Sequence, residues 1–437
     1  MPTLTVNEFS CLREAVFELA PVNVIIGPQG SGKSVTTKLL YFFADILVNF
    51  LQYAERQESI EDYRKIVAKQ FSIWFPPSAW GSGRFNISYV ANPFTARILR
   101  RRSRGKLSDE VSVTFSEWFT DFYIQTSELF EKHRTGSELD LEDSARINDA
   151  FDRAYRVRDI AAKKMQNELG SEYLSQQTFI PAGRAFFTSI GKLVAGFEQA
   201  GNLDPVTLKF AKLFANLRDR QFGRHLNRKM SSEFLEKRMV FMNELFGGEI
   251  RYEGDSEYVE SKDGRKIPFS SLSSGQQELL PMWSIMDYFN EIDAMRFASS
   301  PKATRRSREL VYIEEPEAHL FPSAQSLLME FLIGSVVSER RRSLIITTHS
   351  PYIMSKLNVF LKAGQLSRRR KRNQDINEIV RRECWLNETQ LSAWAIEDGE
   401  LKNLIDDDGL IDGTYLDGIS EKISNEFSDL LQIESEM

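Results

Sequence analysis

Gly27-Pro28-Gln29-Gly30-Ser31-Gly32-Lys33-Ser34 fits the pattern G-x-x-x-x-G-K-[ST]. Glycines at these positions let successive backbone N–H groups turn inward around phosphate oxygens. Lys33 can then reach β- and γ-phosphates, and the Ser34 hydroxyl can ligate Mg²⁺. A set of acids follows far downstream, Glu314-Glu315-Pro316-Glu317, directly after the apolar run Leu310-Val311-Tyr312-Ile313. Glu314 suits the Mg²⁺ shell, through water, and Glu315 suits polarisation of an attacking water. The chemistry implied is binding and hydrolysis of a nucleoside triphosphate.

Such groups work only if regular elements hold them. Val22-Asn23-Val24-Ile25-Ile26 reads as a buried strand feeding the loop, and a helix is expected from near Lys33 through Leu39, Leu40 and Phe43. Leu310–Ile313 reads as a buried parallel strand delivering its carboxylates at the C-terminal tip, where ligands of open α/β sheets collect. Ser343–Thr348 reads as another strand, ending at His349-Ser350-Pro351. The fold class expected is α/β.

The chain of 437 residues is 42% apolar and 27% charged, in the range of globular proteins. No apolar run approaches the roughly 20 residues of a bilayer span, and the first residues lack the pattern of a secretory signal. Cys11 and Cys384 are the only cysteines, so neither a disulfide framework nor a zinc site is supported, and a reducing cytoplasm is the expected home. Net charge is −6, which offers no overall basic field for nucleic acid. Basic residues cluster nonetheless: Arg97, Arg100, Arg101, Arg102, Arg104 and Lys106; Arg340, Arg341 and Arg342; and Arg368, Arg369, Arg370, Lys371 and Arg372. Such runs are either solvated loops or contacts for phosphate backbones and acidic proteins.

Leu272-Ser273-Ser274-Gly275-Gln276-Gln277-Glu278 precedes an apolar helical stretch through Ile285. It resembles the signature motif of ABC-type ATPases, with Ser274 at the first glycine position. A serine hydroxyl and free amides at a helix N-terminus make a receptor for a terminal phosphate, although a serine-rich cap reads the same way. Pro281 inside that helix predicts a bend. Loop, signature, paired acids and His349 thus share the chain order of ABC-type ATPases, in which the matching histidine contacts the γ-phosphate.

The closer resemblance is to the ATPase part of the OLD-like family of bacterial anti-phage defence. It rests on Ile313 to Leu320, Thr348 to Pro351 and the strand-like Thr178-Phe179-Ile180-Pro181-Ala182-Gly183-Arg184, and covers roughly residues 1–45, 176–195 and 265–360. The ATPases of PARIS-type systems are similar. The resemblance implies an ABC-type P-loop head, a mixed sheet flanked by helices, using ATP and Mg²⁺. It implies a head-to-tail dimer, possibly a higher homo-oligomer. Lys33, Glu315 and His349 would be catalytic. Gly27, Pro28, Gln29, Gly30, Ser31, Gly32, Lys33 and Ser34 would grip nucleotide in cis, and Ser273, Ser274, Gly275 and Gln276 would grip it in trans. Ser34 and Glu314 would serve the metal.

Departures are equally plain. Most ABC-type proteins carry Asp at the position of Glu314. The glutamine that senses Mg²⁺ has only Gln70 as a weak candidate. No Toprim pattern follows His349, and Asp406-Asp407-Asp408-Gly409 reads as a turn. Any nuclease activity is therefore expected from another chain.

Residues 45–70, 128–176 and 205–246 carry helical spacing, while Phe85–Val90 and Glu110–Phe115 read as strands bridged by the first arginine cluster. The expected organisation is head (1–50), inserted strands and helices (51–175), return to the head (176–200), helical arm or lobe (201–250), head (251–360) and a C-terminal extension (361–437). Whether the helices protrude or pack on the head stays open, as does the role of the aromatic loop Phe75–Gly83.

The function expected is that of a sensor or scaffold ATPase in a defence complex. It would be toxin-antitoxin-like, controlling a separately encoded effector, a nuclease, in response to a phage-derived trigger protein or DNA, with no membrane partner. The competing expectation is a DNA-handling ATPase of repair or chromosome maintenance, with a transporter motor third.

Overall fold

The computed structural model describes residues 2–103, 106–135, 150–190, 203–219, 231–253, 256–299, 308–337, 342–369 and 373–436. Its strands are β1 Thr3–Phe9, β2 Leu12–Glu18, β3 Val22–Ile26, β4 Asn86–Ala91, β5 Phe94–Ser103, β6 Lys106–Phe115, β7 Gln176–Ile180, β8 Gly248–Glu253, β9 Ser256–Ser261, β10 Lys266–Pro268, β11 Glu309–Glu314, β12 Arg342–Thr348, β13 Leu391–Glu397 and β14 Glu400–Asn403. The α-helices are α1 Lys33–Glu55, α2 Ile60–Trp74, α3 Glu117–Thr135, α4 Ala150–Leu169, α5 Phe186–Ile190, α6 Pro205–Asp219, α7 Ser232–Phe246, α8 Ser274–Ser299, α9 Pro322–Val337, α10 Pro351–Ser367, α11 Asn373–Ile379 and α12 Thr414–Glu436.

Eleven strands form one mixed sheet in the order β6-β5-β4-β1-β2-β14-β13-β3-β12-β11-β7. The half running from β13 through β3, β12 and β11 to β7 is parallel. Its middle strands β3 and β12 are buried along their whole length, as strands covered on both faces must be. Alternate side chains serve two cores. Leu310, Tyr312, Ile345 and Ile25 join one cluster with α1 to α4; Val311, Ile313, Leu344, Ile346, Val22, Val24 and Ile26 join the other with α6 to α10. Each such aliphatic burial stabilises by about 1.5–3 kcal/mol.

The strands expected at 85–90 and 110–115 belong to this same sheet as β4 and β6. The arginine cluster does not bridge them as a loop. It builds β5, because Phe94, Ala96 and Ile98 alternate with it and are fully buried. Arg104 lies outside the described residues, and Lys106 opens β6. Arg342 departs from a solvated run as well. It opens β12, buried, paired with Asp293 and, at 3.0 Å, with Glu309. Arg340, Arg341, Arg370, Lys371 and Arg372 lie outside the described residues.

The helices of 45–70 and 128–176 bury apolar faces in the first core, with Phe50 of α1 against Phe119, Phe122 and Tyr123 of α3. Helix α1 has the length and apolar content of a membrane span. Here it is a core helix, with Leu39, Leu40, Phe43 and Phe50 almost fully buried. The loop aromatics Phe75 and Trp80 cover apolar surface, with the Trp80 Nε1 donating to the Phe75 carbonyl at 2.7 Å. Within residues 361–437, β13 and β14 join the large sheet, β13 pairing with β3 and β14 with β2. Asp406–Gly409 is the expected turn: the Asp406 carboxylate accepts from the N–H groups of Asp408 and Leu410, and Gly409 has φ 72°.

Candidate functional site

Five parallel strands, β13, β3, β12, β11 and β7, deliver their C-terminal ends to one edge. From β3 the chain turns through Gly27–Gly32 into α1, which begins at Lys33. Gly30 and Gly32 take φ values of 76° and 112°, a region that glycine enters without a Cβ penalty. A Cβ at Gly27 would sit 2.8 Å from the carbonyl oxygen of Ile396 at the end of β13. The loop therefore has backbone against backbone on one side.

The Lys33 ammonium donates to the carbonyls of Gly27 at 2.7 Å and Pro28 at 2.8 Å. Burial lowers its pKa, opposed by the charges of Glu315, Glu314 and Glu317. Glu314 closes β11, and Glu315 and Glu317 follow it at the same strand end. The Ser34 side chain is exposed at the first turn of α1. Glu314 is buried, and its Oε1 accepts from the Thr37 hydroxyl at 3.2 Å, one turn beyond Ser34.

Glu315 departs from the strand with φ 44°, a conformation unusual for a glutamate and imposed by its surroundings. Its N–H continues the sheet to the Thr347 carbonyl at 2.9 Å. Its carboxylate oxygen Oε1 comes within 3.4 Å of His349 Nε2. Glu317 fixes the next strand end, where its Oε1 accepts from the Thr348 hydroxyl at 2.7 Å and the His349 N–H at 2.6 Å. Ser350 then caps α10, accepting from the N–H groups of Tyr352 and Ile353.

These residues can hold a magnesium-bound triphosphate. The buried Ser31 hydroxyl and the Glu317 Oε2 have no hydrogen-bond partner among the described residues, and buried polar atoms are seldom left so. A hydroxyl, an ammonium and two carboxylates around a ring of amides suit phosphates and Mg²⁺.

The signature segment forms a capping box at the start of α8. The Ser273 hydroxyl accepts from the Gln276 N–H at 3.4 Å, and the Gln276 Oε1 accepts from the Ser273 N–H at 3.1 Å. Helix α8 runs on past Pro281 to Ser299. A Cβ at Gly275 would lie 2.5 Å from the His319 carbonyl oxygen, so the signature sits directly on the turn after the paired acids. No hydrogen bond among the described residues joins residues 272–277 to residues 27–34.

Gln70 is not brought to the site. Its amide donates to the Tyr53 hydroxyl at 2.9 Å, and Tyr53 is roughly 30 Å along α1 from Lys33 at about 1.5 Å per residue. Conversely, sequence patterns gave Arg184 and Glu278 no role. The Arg184 guanidinium is fully buried and donates to the carbonyls of Glu278 (2.8 Å), Pro181 (3.0 Å), Glu314 (2.8 Å) and Glu315 (3.3 Å). Burial lowers its pKa, opposed first by the Glu278 carboxylate, 3.8 Å away. Its only visible signal was its place at the end of the Thr178–Arg184 stretch.

Among solved structures, the SMC head bound to the C-winged helix domain of ScpA is 12% identical with a TM-score of 0.40, covering 92% of this chain and 95% of that one. The SMC head domain from Thermotoga maritima is 12% identical with a TM-score of 0.35, covering 92% and 97%. The Smc head domain with an extended coiled coil bound to the C-terminal domain of ScpA, from Pyrococcus furiosus, is also 12% identical at 0.35, covering 92% and 96%. At such scores these likenesses decide nothing about function. No curated protein matches the chain. The family model described as AAA domain, putative AbiEii toxin, Type IV TA system matches residues 22–355, and the chain belongs to that family.

Proposed function

We propose that this chain is an ATP-hydrolysing switch of the ABC type. The observation that carries the reading is the convergence of Lys33, Glu314, Glu315 and His349 at the ends of β3, β11 and β12. Lys33 leaves the carbonyls of Gly27 and Pro28 for phosphate oxygens. Ser34 and Glu314 would hold Mg²⁺, which when bound would neutralise phosphate charge. Glu315 orients water and His349 steadies the terminal phosphate. Ser273 and Gly275 act in trans, on the triphosphate of a second copy arranged head to tail. Hydrolysis removes the group that both copies grip, so the dimer loosens.

In the cell the switch governs a separately encoded effector, a nuclease, in an OLD-like or PARIS-like anti-phage complex answering a phage protein or DNA. The family description, which names a toxin of a toxin-antitoxin system, supports a defence role. The free thiols of Cys11 and Cys384 suit a reducing cytoplasm.

Light scattering of wild type and Lys33→Ala, with and without Mg-ATP, tests the switch. Mass should double only in wild type, and equal behaviour of the two rejects the reading. Co-purification from the native host tests the effector.

A DNA-handling ATPase is the second reading, favoured by Arg97, Arg101 and Arg102, exposed along β5. Arg101 faces Glu110 at 3.5 Å, which weakens the basic field. Duplex-stimulated hydrolysis with an affinity that falls steeply with salt would carry this reading instead.

A further inference from the structure

Arg184 joins three segments through one rigid fork. Its Nε donates to the carbonyl of Glu278, within the first turns of α8. One terminal nitrogen donates to the carbonyls of Pro181 and Glu314, and the other to that of Glu315. The Glu278 carboxylate returns to accept the Arg184 backbone N–H at 3.1 Å. Signature helix and paired acids therefore share one buried cation and its counter-ion.

We propose that Arg184 is a positioning residue that transmits engagement of the signature helix to the carboxylate of Glu315, and so couples the two triphosphates of the dimer. The inference rests on the ATPase reading above.

The argument is geometric. The signature of one copy meets the triphosphate of the other, whereas Glu315 serves the triphosphate of its own. When Ser273 turns its hydroxyl toward a phosphate it gives up Gln276, and the first turn of α8 must readjust. Glu278 lies four residues beyond Ser274, on the same face, bound twice to Arg184. Any shift there reaches the Glu315 carbonyl; the residue is held in its left-handed conformation from both sides, its carbonyl accepting from Arg184 and its N–H donating to Thr347. The aim of that carboxylate at His349 depends on this backbone conformation. A guanidinium presents its donors in one plane, which a lysine cannot reproduce, and the Glu278 charge beside it holds it there, so the link needs both the fork and its counter-ion.

The test compares full-length wild type, Glu278→Gln, Arg184→Lys, Ser273→Ala and the Ser273→Ala/Glu278→Gln double variant. Steady-state Mg-ATP hydrolysis, affinity for a non-hydrolysable ATP analogue and thermal midpoint are measured for each. Glu278→Gln and Arg184→Lys should lower kcat by about tenfold or more with KM and analogue affinity within about twofold. The double variant should be no slower than Ser273→Ala alone, because both changes cut one line of communication. If Arg184→Lys does not fold, Glu278→Gln, which keeps shape and an acceptor oxygen, carries the test. Multiplicative losses, an unchanged kcat in Glu278→Gln, or kcat, affinity and thermal midpoint falling together overturn the relay. Wild type that binds but never hydrolyses ATP overturns the ATPase reading and the relay with it.

Discussion

His349 Nε2 stands 3.4 Å from Glu315 Oε1, although 34 positions (349 − 315) separate them in the chain. Parallel pairing of Glu314 with Thr347 sets the two strand ends level. The imidazole can therefore orient the carboxylate, and a water beside the pair would face both groups.

Glu315→Gln should bind Mg-ATP as wild type does while hydrolysis falls by about a hundredfold or more, consistent with losing a general base. Phosphate release gives the rate, and size-exclusion chromatography with ATP should show a dimer that persists. Wild-type turnover in this variant would remove Glu315 from the chemistry. His349→Ala should cost less, since it orients rather than activates.

Gly275→Ala places a methyl group 2.5 Å from the His319 carbonyl oxygen. The start of α8 and the 315–320 turn must separate, at about 1–3 kcal/mol as overpacking generally costs. ATP-dependent dimerisation should weaken while nucleotide still binds the isolated head. A variant with an unaltered thermal midpoint would mean that the two segments part freely.

Phe321 is 77% exposed, immediately after that turn and before α9. In the proposed head-to-tail dimer, a large ring so placed would anchor the facing copy. Phe321→Ser should leave unfolding of the monomer unchanged and raise the ATP-dependent dimer dissociation constant by about tenfold, or ~1.4 kcal/mol. Sedimentation at graded concentrations decides it, and an unchanged constant places the ring outside the interface.

Arg238 of α7 faces two carboxylates of α8, Asp287 at 2.6 Å and Glu291 at 3.2 Å. One cation cannot balance both. Burial, then the Asp287 charge, pushes Glu291 up to about 7 against the pull of Arg238. With its folded pKa above its unfolded one, Glu291 favours folding below about pH 4.5, and this support is lost as pH rises through 7. Glu291→Gln should therefore be more stable than wild type at pH 8, by up to about 3 kcal/mol, and the gap should close toward pH 5. Urea unfolding at the two pH values measures it. A pH-independent difference would assign the effect to packing alone.

The phosphate loop, β3, β11 and β12 were legible in the sequence because each is a local pattern, apolar run then chemistry. The arginine-rich β5 was obscured by charge, although Phe94, Ala96 and Ile98 kept the two-residue period. Arg184 and Gln70 show the other limit. Their partners are chosen by tertiary packing, Glu278 lying 94 positions from Arg184, and no local pattern names them.

β13 lies between β14 and β3, with Ile396 backing Gly27. A ribosome makes residues 27–34 of the nucleotide cradle long before their rear wall, which begins at residue 391. Nascent chains shorter than this should bind triphosphate poorly, so competence arrives late and all at once. Under the proposed control of a destructive effector, such a delay would keep half-made copies silent.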